Sequence, residues 1–296
     1  MKKSKLALGC MRMSALTNAE AERVILDAFE HEITLFDHAD IYGGGKSEEL
    51  FGSALNTHPW LREKIILQDK CGICKGYYDL SRAHILEAVD GSLKRLGTDH
   101  LDILLLHRPD ALMEPAEIAE AFQLLRKDGK VFHFGVSNMN PAQIELIEQA
   151  APGSITINQL QFGLGHTALI DEGICVNTTF DQGIVRTGSV LDYCQLKKIE
   201  IQAWSPLQYG FFEGTIFSNS KYQPLVQKLE SIGAEQHVSA PAVAIAWIMR
   251  HPAHIVPVLG SMNIQHLDEL YEAVNVQQID RKTWYELYQL AGNPLP

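Results

Sequence analysis

The chain alternates short apolar runs with longer stretches whose apolar positions recur every three or four residues, the patterns of buried strands and of helices. Eight runs read as strands: KLALGC (5–10), ITLFD (33–37), KIILQDK (64–70), LDILLLH (101–107), VFHFGVSN (131–138), ITINQLQ (155–161), IEIQAWS (199–205) and HIVPVLG (254–260). Helical patterns follow them at 18–31, 47–56, 82–96, 115–128, 141–150, 188–197, 240–251 and 263–274. Several carry start signals: a capping box at Thr17 and Glu20, Ser47, Ser81, Pro115 with Gly129 closing that helix, and Pro141.

Strands this apolar have no wet face, so the alternation reads as a parallel sheet covered by helices. Eight such units predict a closed (β/α)8 TIM barrel, one domain over 1–296. An open doubly wound sheet would need a phosphate-binding fingerprint, and the one match, GLGHTA at 163–168, lies after the sixth strand without a convincing helix behind it. No P-loop and no H-E-x-x-H occurs. The stretches 162–187 and 206–220 read as irregular; both follow strands and so belong at the carboxyl rim, where barrel active sites lie.

Composition narrows the classes further. At 296 residues, 46% hydrophobic and 21% charged, the chain is an ordinary globular protein. A net charge of −11, with Lys and Arg scattered apart from the Lys2-Lys3 pair, leaves no basic stripe for nucleic acid. Runs such as ILLL fall far short of a bilayer span, and MKKSKLALGCMRMS is a poor signal peptide, so no membrane partner and a cytoplasmic location are expected. Cys10, Cys71, Cys74, Cys175 and Cys194 are an odd set that favours free thiols, and the C-x-x-C at Cys71 and Cys74 has no companion ligand pair for zinc. No metal is expected, and the oligomeric state has no signature.

Polar residues gather where the strands end. Asp37 closes the second, with Tyr42 five residues later; Lys70 closes the third and His107 the fourth. Ser137-Asn138 end the fifth, Gln159 lies in the sixth, and Trp204-Ser205 end the seventh. In a barrel these converge on one face. A lysine at the end of so apolar a run needs a partner, and Asp37 offers one. The resulting cation is expected to lower the pKa of Tyr42 from its ordinary value of about 10. Each residue alone has a structural explanation; four complementary groups on three consecutive strand ends do not follow from packing.

The segments FDHADIYGGGKSEELFGSAL, IILQDKCGI, LKRLGTDHLDILLLHRPD, GKVFHFGVSN, INQLQF, IQAWSPL and VLGSMNIQHLDEL, in order, resemble the aldo-keto reductase family from about residue 5 to about residue 275. The resemblance implies a catalytic tetrad of Tyr42, Lys70, His107 and Asp37, with Tyr42 the general acid in hydride transfer from NAD(P)H to an aldehyde or ketone. It implies that Ser137, Asn138 and Gln159 hold the nicotinamide carboxamide and that Trp204 stacks on its ring. Ser205, Pro206, Leu207 and Gly210 would run beside the pyrophosphate, Cys10 and Met11 would approach the ribose, and Gly260, Ser261, Met262, Asn263, His266 and Glu269 would face the adenosine.

Departures from the family pattern set further expectations. His38 stands where many members have threonine and is expected to add a titratable group. The amino-terminal hairpin that plugs some members' barrels is not expected. The adenosine stretch offers only His266 as a cation for a 2′-phosphate, so NADP(H) is preferred and NAD(H) remains possible. Met11, Met13, Trp60, Phe162, Tyr209, Phe211 and Phe212 are candidates for an apolar substrate mouth. The alternative from another class is a cofactor-holding regulatory or scaffold protein on the same barrel; a Schiff-base aldolase or isomerase using Lys70 would leave AWSPL without a purpose.

Overall fold

The structure, a computed structural model, describes residues 4–296; the Lys2-Lys3 pair lies outside them. Eight strands form the barrel: β1 (Ala7–Gly9), β2 (Leu35–Asp37), β3 (Ile66–Cys71), β4 (Leu101–Leu106), β5 (Val131–Ser137), β6 (Ile155–Gln161), β7 (Glu200–Trp204) and β8 (Val256–Leu259). They close in the order β1-β8-β7-β6-β5-β4-β3-β2. All the recorded barrel pairings are parallel, including Asp37 with Gln68, Lys70 with Leu105 and Ser137 with Gln159. Among the described residues no strand precedes β1.

By compactness the chain falls into two units, 1–159 with 260–264, and 160–259 with 265–296. The first carries helices α1 (Asn18–Glu30), α2 (Lys46–Thr57), α3 (Arg82–Leu96), α4 (Pro115–Lys127) and α5 (Pro141–Ala150). The capping box of Thr17 and Glu20 is formed, Ser81 caps α3, and Asn140 with Gln143 makes a second box on α5. Ser47 does not cap α2: the helix begins at Lys46 after Gly45, and the buried Ser47 hydroxyl accepts from the Ser14 amide at 3.1 Å. The turn before it, Gly43-Gly44-Gly45, is left-handed throughout, with φ of 61, 66 and 94°. A side chain at Gly43 would also collide with Ser14.

The second unit carries α6 (Ala168–Ile174), α7 (Val190–Lys197), α8 (Gln223–Gln236), α9 (Ala240–Met249), α10 (Ile264–Tyr271, its first residue in the other unit) and α11 (Arg281–Leu290). Three of these, α6, α8 and α11, depart from the expectation of irregular chain at 162–187 and of one helix per strand. GLGHTA is not a phosphate loop: a side chain at Gly163 would strike the carbonyl of Pro206, so that glycine serves close backbone approach. Glu172, buried at the end of α6, accepts from the amides of Arg186, Thr187 and Ser189 and from the Thr187 hydroxyl, which fastens the following loop.

The core of this unit is aromatic. Trp247 and Trp284 stack at 4.7 Å, and each indole N–H donates to the other's backbone carbonyl at 3.0 Å. Phe162 lies 5.4 Å from Trp247 and is fully buried. Trp247→Ala removes stack and hydrogen bond together, and urea denaturation should report a loss of about 3–5 kcal/mol.

Candidate active site

The strand reading brings the four predicted groups together in the first unit. Lys70 is 1% exposed and its ammonium donates to Asp37 Oδ1 at 2.6 Å and to the His38 carbonyl at 2.7 Å. The Tyr42 hydroxyl is a further neighbour of that ammonium and, with Asp37, favours its charged form. The buried charge is thus met by a carboxylate and a backbone carbonyl, as burial of a charge demands. The Tyr42 and His107 rings meet edge-on at 6.0 Å.

Asp37 is the hub. Its Oδ1 also accepts from Gln68 at 2.6 Å and from Gln159 at 3.0 Å. Ser137 Oγ donates to the Gln159 carbonyl at 2.9 Å and accepts from Asn138 Nδ2 at 2.7 Å. Two of the three residues expected to hold a carboxamide are thus bonded to each other, and the third is bonded to the hub. Asn138 is left-handed at φ 58°, which asparagine tolerates better than most residues.

Electrostatics correct two expectations. Burial pushes the Tyr42 phenol up to about 12; Lys70 pulls the other way but does not prevail, so the group is held protonated. Burial alone would lower Lys70, but the Asp37 charge and the contact with Tyr42 outweigh it and the ammonium is held above its ordinary value. His38 is not an added titratable group: burial and the Lys70 charge push it down to about 3, its ring nitrogens meet no protein partner, and the ring packs on Phe51 at 4.6 Å. His107 is likewise depressed, by burial, Lys70 and Arg108, so it is a neutral imidazole whose Nδ1 has no protein partner.

The other predicted residues fall as follows. Cys10 points inward, fully buried with its thiol on the Leu8 carbonyl, while Met11 is half-buried. Arg12, which the sequence reading passed over, donates to the Gly260 carbonyl at 2.9 Å from an exposed position and forms no ion pair among the described residues. Only the pairing of a residue near the amino terminus with the end of β8 could have singled it out. Ser261 Oγ accepts from the Asn263 amide at 3.1 Å, and Met262 is half-buried beside them. In the second unit, Trp204 ends β7, followed by Ser205 at φ 49° and a turn over Pro206 and Leu207 closed by Gln208 N–H to the Ser205 carbonyl. Gly210 (φ 59°) gives its carbonyl to Gln161. Phe212 stacks on Trp204 at 5.9 Å and Phe211 meets it edge-on at 6.3 Å. His266 and Glu269 are exposed on α10.

The expected apolar mouth loses three members. Met13 and Phe162 are fully buried core, and Trp60, packed on Phe29 at 5.5 Å, precedes β3 and so belongs to the opposite rim from the strand ends. Tyr209, Phe211 and Phe212 remain accessible.

With this geometry in place, comparison with known proteins gives one family. The sequence model of the aldo/keto reductase family matches residues 5–291. The chain is 40% identical to a 6-dehydroglucose reductase of Agrobacterium fabrum, covering 88% of this chain and 83% of that protein. It is 34% identical to the oxidoreductase YdhF of Escherichia coli, over 97% and 93%. A crystal structure of an aldo/keto reductase from Klebsiella pneumoniae in complex with NADP and acetate superposes with a TM-score of 0.78 at 22% identity, covering 99% of this chain and 93% of that one. The chain belongs to the aldo/keto reductase family and is an NAD(P)H-dependent carbonyl reductase. No described helix is long and apolar enough to cross a membrane.

The ion pair at the hub has a measurable consequence. Lys70→Met leaves the Asp37 carboxylate buried without its cation and should lower stability by about 3–5 kcal/mol in chemical denaturation, with part of the loss recovered in Lys70→Met/Asp37→Asn.

Proposed function

We propose that this protein, working as one domain over 1–296 in the cytoplasm, reduces an aldehyde or ketone to an alcohol with Tyr42 as the general acid. The observation that carries the reading is the Lys70 ammonium fixed by Asp37 and the His38 carbonyl beside Tyr42, with the His107 ring edge-on to the phenol. A bound nicotinamide dinucleotide supplies hydride to the carbonyl carbon. Tyr42 then gives its proton to the oxygen as negative charge develops there, and Lys70 stabilises the phenolate that remains. Neutral His107 orients the carbonyl oxygen by a hydrogen bond.

The chemistry of the residues suits that cofactor. Asn138 and Gln159 offer amides for a carboxamide, the half-buried indole of Trp204 offers a stacking face, and Ser205 to Gly210 offer a backbone turn. Arg12 supplies the fixed positive charge that the adenosine stretch lacks, which supports NADP(H) as the preferred cofactor, with NAD(H) usable. Sugar aldehydes enter the substrate panel because of the 6-dehydroglucose reductases among the relatives.

Tyr42→Phe should reduce turnover on a panel of aldehydes, ketones and sugar aldehydes by about 10²–10⁴-fold with the dinucleotide still bound. In an ultraviolet difference titration of wild type against this variant, no tyrosinate signal assignable to Tyr42 should appear below about pH 10. A signal near neutral pH would mean that the group rests as a base and cannot be the acid. Arg12→Ala should weaken NADPH binding, followed by tryptophan quenching, by roughly 10- to 100-fold. An effect confined to NADPH places Arg12 on the 2′-phosphate, an equal effect on NADH places it on the pyrophosphate, and no effect on either removes it from the site.

A further inference from the structure

Behind the catalytic lysine, on the opposite face of β3, lies a second buried charge cluster that hydride transfer does not use. Asp69 precedes Lys70, so strand alternation sends its side chain away from the tetrad. It is 1% exposed, and its Oδ1 accepts from the Lys70 amide at 2.8 Å. Its Oδ2 is buried and meets no N–H or O–H of the protein. What Asp69 does meet, within hydrogen-bonding reach, is the carboxyl of Glu48 on α2. Glu48 is fully buried and gripped by Arg95 of α3 through two N–H groups, at 2.8 and 3.2 Å.

Two bare carboxylates cannot hydrogen-bond to each other; one of them must carry a proton. Both Glu48 oxygens already accept from Arg95, so the proton is assigned to Asp69, whose Oδ2 has no donor of its own. A third carboxyl completes the group: Asp40, two residues before Tyr42, whose amide donates to the Lys70 carbonyl at 3.1 Å and whose Oδ1 is also buried without a donor. Three carboxyls facing one guanidinium cannot all ionise in so dry a place.

We propose that Asp69 is a neutral carboxylic acid donating its proton to Glu48, and that with Asp40 these residues form a clamp that positions the Tyr42 turn against the Lys70 strand. The inference rests on the reading of Tyr42 given above. Each member ties down a different carrier of the tetrad: Asp69 the backbone of Lys70, Glu48 the helix that follows the glycine turn, and Asp40 the segment between Asp37 and Tyr42. Asp69, Glu48 and Asp40 are positioning residues, since none of them touches the reacting atoms.

The surroundings agree with this protonation. Burial, then the Glu48 charge, pushes Asp69 well up, and the same two causes push Asp40 up to about 7 against the pull of Arg95 and Lys70. The remaining titratable groups facing the cluster are Tyr42 from the turn, Cys71 from β3 and Cys10 from the end of β1. All three are pushed up by burial and stay neutral. Asp40 in the folded protein therefore lies above its ordinary value of 3.8. Its neutral form contributes stability that is fully present below about pH 4 and is lost as the pH rises to about 7.

Infrared difference spectra, thermal denaturation against pH and steady-state kinetics of Asp69→Asn, Asp69→Ala and Asp40→Asn test the clamp. Asp69→Asn can still accept from Lys70 and donate to Glu48, so it should keep the wild-type kcat while erasing a protonated-carboxyl band. Asp69→Ala should lower kcat on the order of 10-fold or more at little changed KM. The difference in Tm between wild type and Asp40→Asn should slide in the mutant's favour from pH 4 to 7. An unchanged infrared band in Asp69→Asn, a wild-type kcat in Asp69→Ala, or a Tm difference independent of pH would each overturn the proposal. Should Asp69→Ala not fold, the band and the Asp40→Asn profile still decide. A wild type that turns over no substrate would instead sink the Tyr42 reading, and the spectra and melts would judge the protonation by themselves.

Discussion

Everything at the strand ends depends on one ammonium buried inside an apolar barrel. A lysine 1% exposed survives there only with partners for its charge, and the chain supplies a carboxylate and a backbone carbonyl, with a phenol alongside. That requirement has chemical consequences. The carboxylate must itself be saturated, so Gln68 and Gln159 turn toward it.

The same strand carries an opposite solution one residue earlier. Lys70 is ionised and paired; Asp69, facing the helices, is neutralised instead, because the charge beside it is that of another carboxyl and Arg95 is taken by Glu48. Desolvation acts on both, and the sign of the nearest charge decides the outcome. Consecutive residues of a parallel strand buried on both faces can thus run in opposite protonation regimes, a freedom that a half-exposed strand lacks.

The barrel was legible because the signals that specify it are local. Runs such as ILLL fix strands whatever surrounds them, and the caps at Thr17 and Ser81 close with neighbours three residues away. The family resemblance added the roles of Tyr42, Lys70, His107 and Asp37, and the structure assembled those four. What stayed hidden depends on distant partners. Ser47 looked like a cap but serves the Ser14 amide; Met13 and Phe162 looked like a mouth but fill the core; α8 and α11 have clear amphipathic faces, yet one helix per strand leaves no place for them. The Tyr42 shift failed for a related reason: a neighbouring cation can be read from strand order, but the degree of desolvation that opposes it cannot.

Net charge sharpens the question of how such a protein holds its cofactor. A chain at −11 repels a dianionic or trianionic dinucleotide at long range, and within about 8 Å, the screening length at physiological salt, only local groups can reverse this. The acidic surface therefore gives no help with steering, and affinity has to come from directed donors and stacking faces. An exposed guanidinium held in place by a backbone carbonyl, as Arg12 is by Gly260, loses little further side-chain freedom when a phosphate arrives. The stretch 260 to 269 itself carries no lysine or arginine, and the guanidinium of Arg12, from the loop that follows β1, is bonded to its first residue.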